Sequence, residues 1–256
     1  MMLLLLVAQD EGARTADVPN AMGAHTWFII LAVGAFLAWS ISYSLQLHRE
    51  AVARRRGRED LARRKDEIIA HGRTNAENLH DFKWEADEAR AIKDVTDTFT
   101  RNEGAPPKGW MGAGTYENAT TPDLLKEAGY KYLMDWPCDD QPIWMRTRAG
   151  PLLCVPYPAE INDSPAIVHR QHSAREFCDM MVDQFDEMIV QCAKQPLVCN
   201  ISIHPYIFGQ PFRLHPLRAA LKHCLEHKLK DRLWLCKPAD ISDYCYSLPP
   251  GIIPGS

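Results

Sequence analysis

The chain has 256 residues, 46% of them hydrophobic, 24% charged and 9% aromatic, which suits one large domain or two small ones. That composition excludes a disordered tail, a collagen and a disulfide mini-scaffold. A net charge of -4 is too mild for a dedicated nucleic-acid binder, so no nucleic-acid partner is expected.

Charge is unevenly spread. Residues 1–65 hold nine Lys and Arg against six Asp and Glu, a balance of +3, and the rest of the chain balances at -7. After a short polar tail, 1–26, the run from Trp27 to Leu45 has 19 residues without a charge. At about 1.5 Å per residue, a helix of that length just crosses a hydrocarbon core about 30 Å thick. Trp27 opens the run, and Trp39 and Tyr43 lie near its other end, as in an interfacial aromatic belt. A basic collar follows over 46–65, with Arg54, Arg55, Arg56, Arg58, Arg63 and Arg64, and it reads as a continuing helix. The positive-inside rule then predicts a single-pass membrane protein with its N-terminus outside and its C-terminal domain in the cytoplasm. All eight cysteines lie between Cys138 and Cys245 and none forms a C-x-x-C pair, which fits a reduced compartment.

From residue 66 strands and helices alternate. Glu67–Ala70 is a short apolar run ending at His71. A helix is predicted from about Glu85 to Arg101, its face set by Ala86, Ala89, Ile92, Val95 and Phe99. A second helix takes Thr121 as N-cap and Pro122 as its first residue, and stops at Gly129. Tyr130–Met134 and Leu152–Val155 read as strands. Ser173-Ala-Arg-Glu176 is a capping box that opens a third helix. Leu197–Ile203 reads as a buried strand ending at His204, and Pro216–Lys228 as a helix. Leu233–Cys236 reads as a strand, Pro238–Ser247 as a last helix, and 249–256 as a flexible tail. This rhythm belongs to a parallel sheet or barrel, whose active site lies at the carboxyl ends of the strands.

His71, Asp135 and His204 fall at those ends. His71 and Asn75 stand four apart and share a face if a helix begins there, but Asn is a weak metal ligand and a lone His is more often structural. Asp135, Asp139 and Asp140 cluster in MDWPCDDQP, as a cation or proton-transfer site or simply as a turn. His204 can titrate near neutrality as a general acid or base, with Arg213 as an anion or carbonyl clamp. His223 and His227, four apart on a helix, read as a solvated face.

Five stretches carry a resemblance: EIIAHGRTNAE (67–77), PKGWMGAGTYENATTPDLLKEAGYKYLMDW (107–136), DDQPIW (139–144), GPLLCVPYPAEIND (150–163) and ISIHPYIFGQPFR (201–213). Over 66–246 the chain resembles the polysaccharide deacetylase (NodB homology) family, nearest its metal-independent allantoinase, cyclic imide hydrolase and peptidoglycan deacetylase-like branch. The resemblance implies an α/β fold, an incomplete distorted (β/α) barrel over 66–248, preceded by the transmembrane helix 27–45. It implies hydrolysis of a non-peptide C–N bond in a small amide, a ureide or an N-acetyl sugar. His204, His71 and Asp140 become the catalytic candidates, and Asn75, Trp110, Asp135 and Arg213 the substrate-binding ones. His71 matches the family's first metal-ligand His. Asn75 stands where metal-dependent members have their second, which leaves either no metal or a weakly held zinc. The family's N-terminal strands and their acidic motif are missing before residue 66, so activity is expected to be weakened or absent, and the open sheet edge could pair two copies. The alternative is a non-catalytic single-pass membrane protein with a degenerate or misjoined deacetylase-like domain.

Overall fold

In the computed structural model the chain divides into two compact units, Met1–Arg64 and Lys65–Ser256. The residues described are 66–255 together with Gln46, His48, Arg49 and Val52, which are helical. The span expected over 27–45 lies outside the described residues. Among the described residues no helix is long and apolar enough to cross a membrane.

Four strands form the sheet: β1 (Gly109–Trp110), β2 (Tyr132–Leu133), β3 (Ile143–Thr147) and β4 (Gly150–Cys154), in the order β1-β2-β4-β3. β1, β2 and β4 run parallel, and Ala70 adds a parallel bridge to Trp110 on the outer side of β1. β3 pairs antiparallel with β4 through a two-residue turn, which the sequence did not announce. Gly150 closes that turn at φ +107, a conformation that favours glycine.

Alternate residues of the strands serve two cores, as a pleated strand requires. Leu133 and Leu152 face one side with Trp110 and Tyr130, under α1 (Glu85–Glu103) and α2 (Thr121–Glu127). Tyr132 and Leu153 face the other, where Ala239 and Cys245 of α6 (Pro238–Ser247) pack. The face that α1 buries is Glu88, Ala91, Ile92 and Val95, turned from the predicted stripe so that Ala86 is exposed. The reason is Glu88, whose carboxylate is needed inside, where Thr121 Oγ1 and Asn118 Nδ2 donate to it.

Ser173 and Glu176 form the capping box that starts α3 (Ala174–Gln191). α3 packs on α5 (Pro211–Leu225) through Phe177, Met181, Leu217 and Ala220, with the one-turn α4 (Pro205–Phe208) beneath. α5 begins at Pro211 and runs through Pro216, five residues earlier than the sequence suggests.

Two expected strands are absent. In 197–203 only Ser202 bridges, to Asn162, and the segment is half-exposed. Leu233–Cys236 is irregular, with Leu235 75% exposed. Neither run has a neighbouring strand to satisfy its backbone. Where a flexible tail is expected over 249–256, residues 253–255 lie against the sheet: Trp144 N–H donates to Pro254 O at 2.8 Å, and Ile253 joins the core beneath α6.

Candidate active site

The parallel strands bring their carboxyl ends to one side. Ala70 leads to His71, β1 to Gly112, β2 to Asp135 and β4 to Tyr157. Gly72 takes φ +89 directly after His71, so the chain turns away and no helix begins there. The expected shared face of His71 and Asn75 does not form.

His71 Nδ1 hydrogen-bonds Met111 O. A carbonyl can only accept, so the proton sits on Nδ1 and Nε2 remains available as an acceptor. Asp135 lies close to His71 and is 5% exposed. Both Asp135 oxygens accept from Gly112 N–H, at 2.8 and 3.0 Å. A Cβ on Gly112 would stand 3.0 Å from Asp135 Oδ2 and 3.2 Å from Trp110 Nε1, so the missing side chain lets these groups approach. Trp110 Nε1 is buried and finds no partner among the described residues.

Glu117 completes this half. Trp136 Nε1 donates to its Oε2 at 2.5 Å, while Oε1 is buried with no donor to accept from. Burial pushes the Glu117 carboxyl up to about 9, with the Asp135 charge adding to the rise. Burial also raises Asp135, to about 6, opposed by its neighbour Glu117 and by the Gly112 N–H. At neutral pH Glu117 therefore keeps its proton while Asp135 is ionised.

The second half is a histidine–aspartate pair. Asp163 has no exposed surface; it accepts from His204 N–H at 2.7 Å and meets His204 Nδ1 at 2.5 Å. His204 is one-third exposed, so its Nε2 side is open to the site. Tyr157 stands between the halves, hydrogen-bonded to Ser202 Oγ at 2.6 Å and raised by burial, with the charges of Asp163 and Asp135 adding to the rise. Cys154 is no nucleophile at neutral pH, because burial pushes its thiol up to about 12.

Of the residues singled out from sequence, His71, Trp110 and Asp135 come together, and His204 belongs to the second half with Asp163. Asn75 is exposed in a turn. Asp140 is exposed; its N–H turns back on Asp139 and its carbonyl accepts from Val198 N–H, as in the turn reading. Arg213 donates to Ile207 O at 3.0 Å and lies over the Phe212 ring, closing the end of α4. Glu117 and Asp163 escaped the sequence reading. Both stood inside the quoted motifs, but no local spacing linked either to its partner.

A zinc at His71 needs further ligands. With Asn75 turned away, Asp135 occupied by Gly112 and Glu117 carrying a proton, the residues around His71 do not fit a metal site. The one three-ligand group among the described residues lies elsewhere.

No protein-family model matches the chain, and no curated protein does. Solved structures do match. The Puue allantoinase is 25% identical, with a TM-score of 0.63, over 72% of this chain and 60% of that one. A protein assigned as a polysaccharide deacetylase from Pseudomonas aeruginosa PAO1 is also 25% identical, with a TM-score of 0.63, over 77% and 65% of the two chains. Another, assigned likewise, from Mycobacterium smegmatis, is 20% identical, with a TM-score of 0.59, over 75% and 68%. The chain thus spans less than two thirds of the first two. On these likenesses the chain has a NodB-like deacetylase fold.

Proposed function

We propose that the chain hydrolyses a non-peptide C–N bond in a small amide, a ureide or an N-acetyl sugar. The observations that carry this reading are His71, whose Nε2 is free to take a proton, and the buried Asp163 that holds His204 through both its oxygens. Water attacks the substrate carbonyl carbon, and its proton passes to His71 Nε2. The C–N bond then breaks, and the leaving nitrogen takes a proton from His204, whose positive charge Asp163 stabilises. Trp110 Nε1, a donor with no partner among the described residues, is the group that would hold the carbonyl end, where negative charge builds up. A metal at His71 is not part of this chemistry, because the donors there do not close a ligand set.

The reaction is expected to be slow. Asp135 is buried and tied to Gly112 N–H, so it cannot stand in for the acidic base the resemblance implies; His71 is left as the base, and part of the factor of about 10²–10⁴ that a positioned base supplies is lost. The charge-free run 27–45 supports membrane attachment with the domain on the cytoplasmic side.

The test is hydrolysis of allantoin, cyclic imides and N-acetylglucosamine oligomers by the full chain and by His204→Ala. Turnover that His204→Ala abolishes supports the proposal. Turnover that survives it refutes the role of His204. Absence of turnover on all three classes favours the alternative, a non-catalytic membrane protein, for which the placement of Asn75, Asp140 and Arg213 away from His71 already speaks.

A further inference from the structure

At the solvent end of the α3–α5 contact, three side chains converge that the proposed hydrolysis does not use. Asp186 comes from α3, His223 from the last turn of α5, and His227 from two residues beyond its end. One ligand atom from each lies within 4.8 Å of the others. His223 Nε2 is 2.7 Å from Asp186 Oδ1, and His227 Nε2 is 3.7 Å from the same oxygen. A tetrahedral zinc with bonds of about 2.0–2.1 Å sets neighbouring ligand atoms about 3.3 Å apart, and the two observed spacings bracket that value. The His227 side chain is only 11% exposed, and its ring stands edge-on to Phe185 at 5.7 Å, so packing fixes its orientation.

We propose that Asp186, His223 and His227 form a zinc site that clamps α3 to α5. The residues carry the argument. One imidazole from the last turn of α5 and one from just beyond its end come together, their ring centroids 5.7 Å apart, and a carboxylate reaches them from a second helix. Two nitrogens and one oxygen suit zinc better than calcium or magnesium, which take oxygen ligands. Three protein ligands leave the fourth position to water, and a cleft of about 630 Å³ opens beside them. Of the lysines lining that cleft, Lys222 is paired with Glu226 at 3.8 Å, which tempers its repulsion of a cation.

Coordination makes one specific change. Leu229 N–H donates to His227 Nδ1 at 3.1 Å, so the neutral ring carries its proton on Nε2. When Nε2 binds zinc, that proton moves to Nδ1 and the Leu229 amide loses its acceptor. The Leu229 amide resonance is therefore a reporter of metal entry that no contact elsewhere would move in the same way. The inference is independent of the hydrolase reading.

The experiment titrates the purified full chain with Zn²⁺ by calorimetry and with Co²⁺ by visible absorption. It compares the wild type with Asp186→Asn, the double variant His223→Ala/His227→Ala, and His71→Ala. The expected result is one equivalent in the wild type and in His71→Ala, and at least ten-fold weaker binding in the other two. Zinc should also raise the melting temperature of the wild type but not of the double variant, and should shift the Leu229 amide. Asp186 and His223 are at the surface, and because His227 packs against Phe185, circular dichroism of each variant is the control for folding. Failure of the wild type to bind overturns the proposal, as does affinity that the double variant retains. Affinity that Asp186→Asn retains overturns the three-ligand assignment, and loss in His71→Ala places the metal at His71 instead.

Discussion

The Asp163 carboxylate grips His204 with both oxygens, Oδ2 on the backbone N–H at 2.7 Å and Oδ1 at Nδ1, 2.5 Å away. Main chain and ring are thus fixed by one buried group, so the direction of Nε2 is set without help from the substrate. An asparagine has one acceptor oxygen where two are used, and one of the two bonds must fail. Asp163→Asn is expected to lower kcat by about 10²–10⁴-fold with KM little changed. Asp163→Asn/His204→Ala should be no slower than His204→Ala alone, because the two act as a unit. Steady-state kinetics on a hydrolysed amide measures both, and additive losses would separate the pair.

The Glu117–Asp135 pair makes stability depend on pH. Folding raises Glu117 from 4.5 to about 9 and Asp135 from 3.8 to about 6. Between those limits the folded chain binds more protons than the unfolded one, so stability falls as pH rises. The stabilisation is complete below about pH 4. Asp135's share is lost by about pH 6 and Glu117's by about pH 9. Glu117→Gln keeps a donor to Asp135 and removes the alkaline part. Urea midpoints from pH 5 to 9 should show a flatter profile for this variant, with a gain over the wild type at pH 9. Parallel profiles would show that Glu117 titrates normally.

Gly109 is required by β2. A Cβ there would lie 2.0 Å from Tyr132 Cζ, and Tyr132 is held by its hydroxyl on Glu67 at 2.7 Å. Because Tyr132 is fully buried, it has nowhere to turn. Gly109→Ala is expected to destabilise the domain by about 1–3 kcal/mol through overpacking. Thermal unfolding tests this, and an unchanged midpoint would mean that the ring can yield.

Glu88 is 1% exposed and accepts from Thr121 Oγ1, at the start of α2, and from Asn118 Nδ2 just before it. Glu88→Ala strands the Thr121 hydroxyl and opens a cavity, while Asn118 Nδ2 keeps Leu79 O and Phe82 O as acceptors. The expected loss is about 2–4 kcal/mol, from one stranded donor of about 1–3 kcal/mol together with a small void. Thr121→Val in the Glu88→Ala background should then cost less than in the wild type, a coupling that a double-mutant cycle in urea can read.

Elements with their own punctuation were legible in the sequence. The Ser173 capping box and the Pro238 start of α6 depend on neighbouring residues alone, and both lie where expected. The runs 197–203 and 233–236 misled because an apolar run does not say what it will pair with. β3 was missed for the converse reason: its residues are half-buried and carry Arg146, and only pairing with β4 makes them a strand. The site divides the same way. His71 and His204 stand out as histidines at strand ends, whereas Asp163, Glu117 and Asp186 gain meaning only from partners 41, 18 and 37 residues away.

The tail on β3 bears on how copies of the chain could meet. Trp144 N–H, in the outer strand, is taken by Pro254 O, and Gly255 sits so close that a Cβ would lie 2.3 Å from Trp144 O. A strand arriving from another copy cannot align there without dislodging the tail. Among the described residues the other flank, beside Ala70, carries only an isolated bridge. Pairing along β3 therefore requires the tail to leave first, so the segment Pro254–Gly255 acts as a cover on that edge of the sheet.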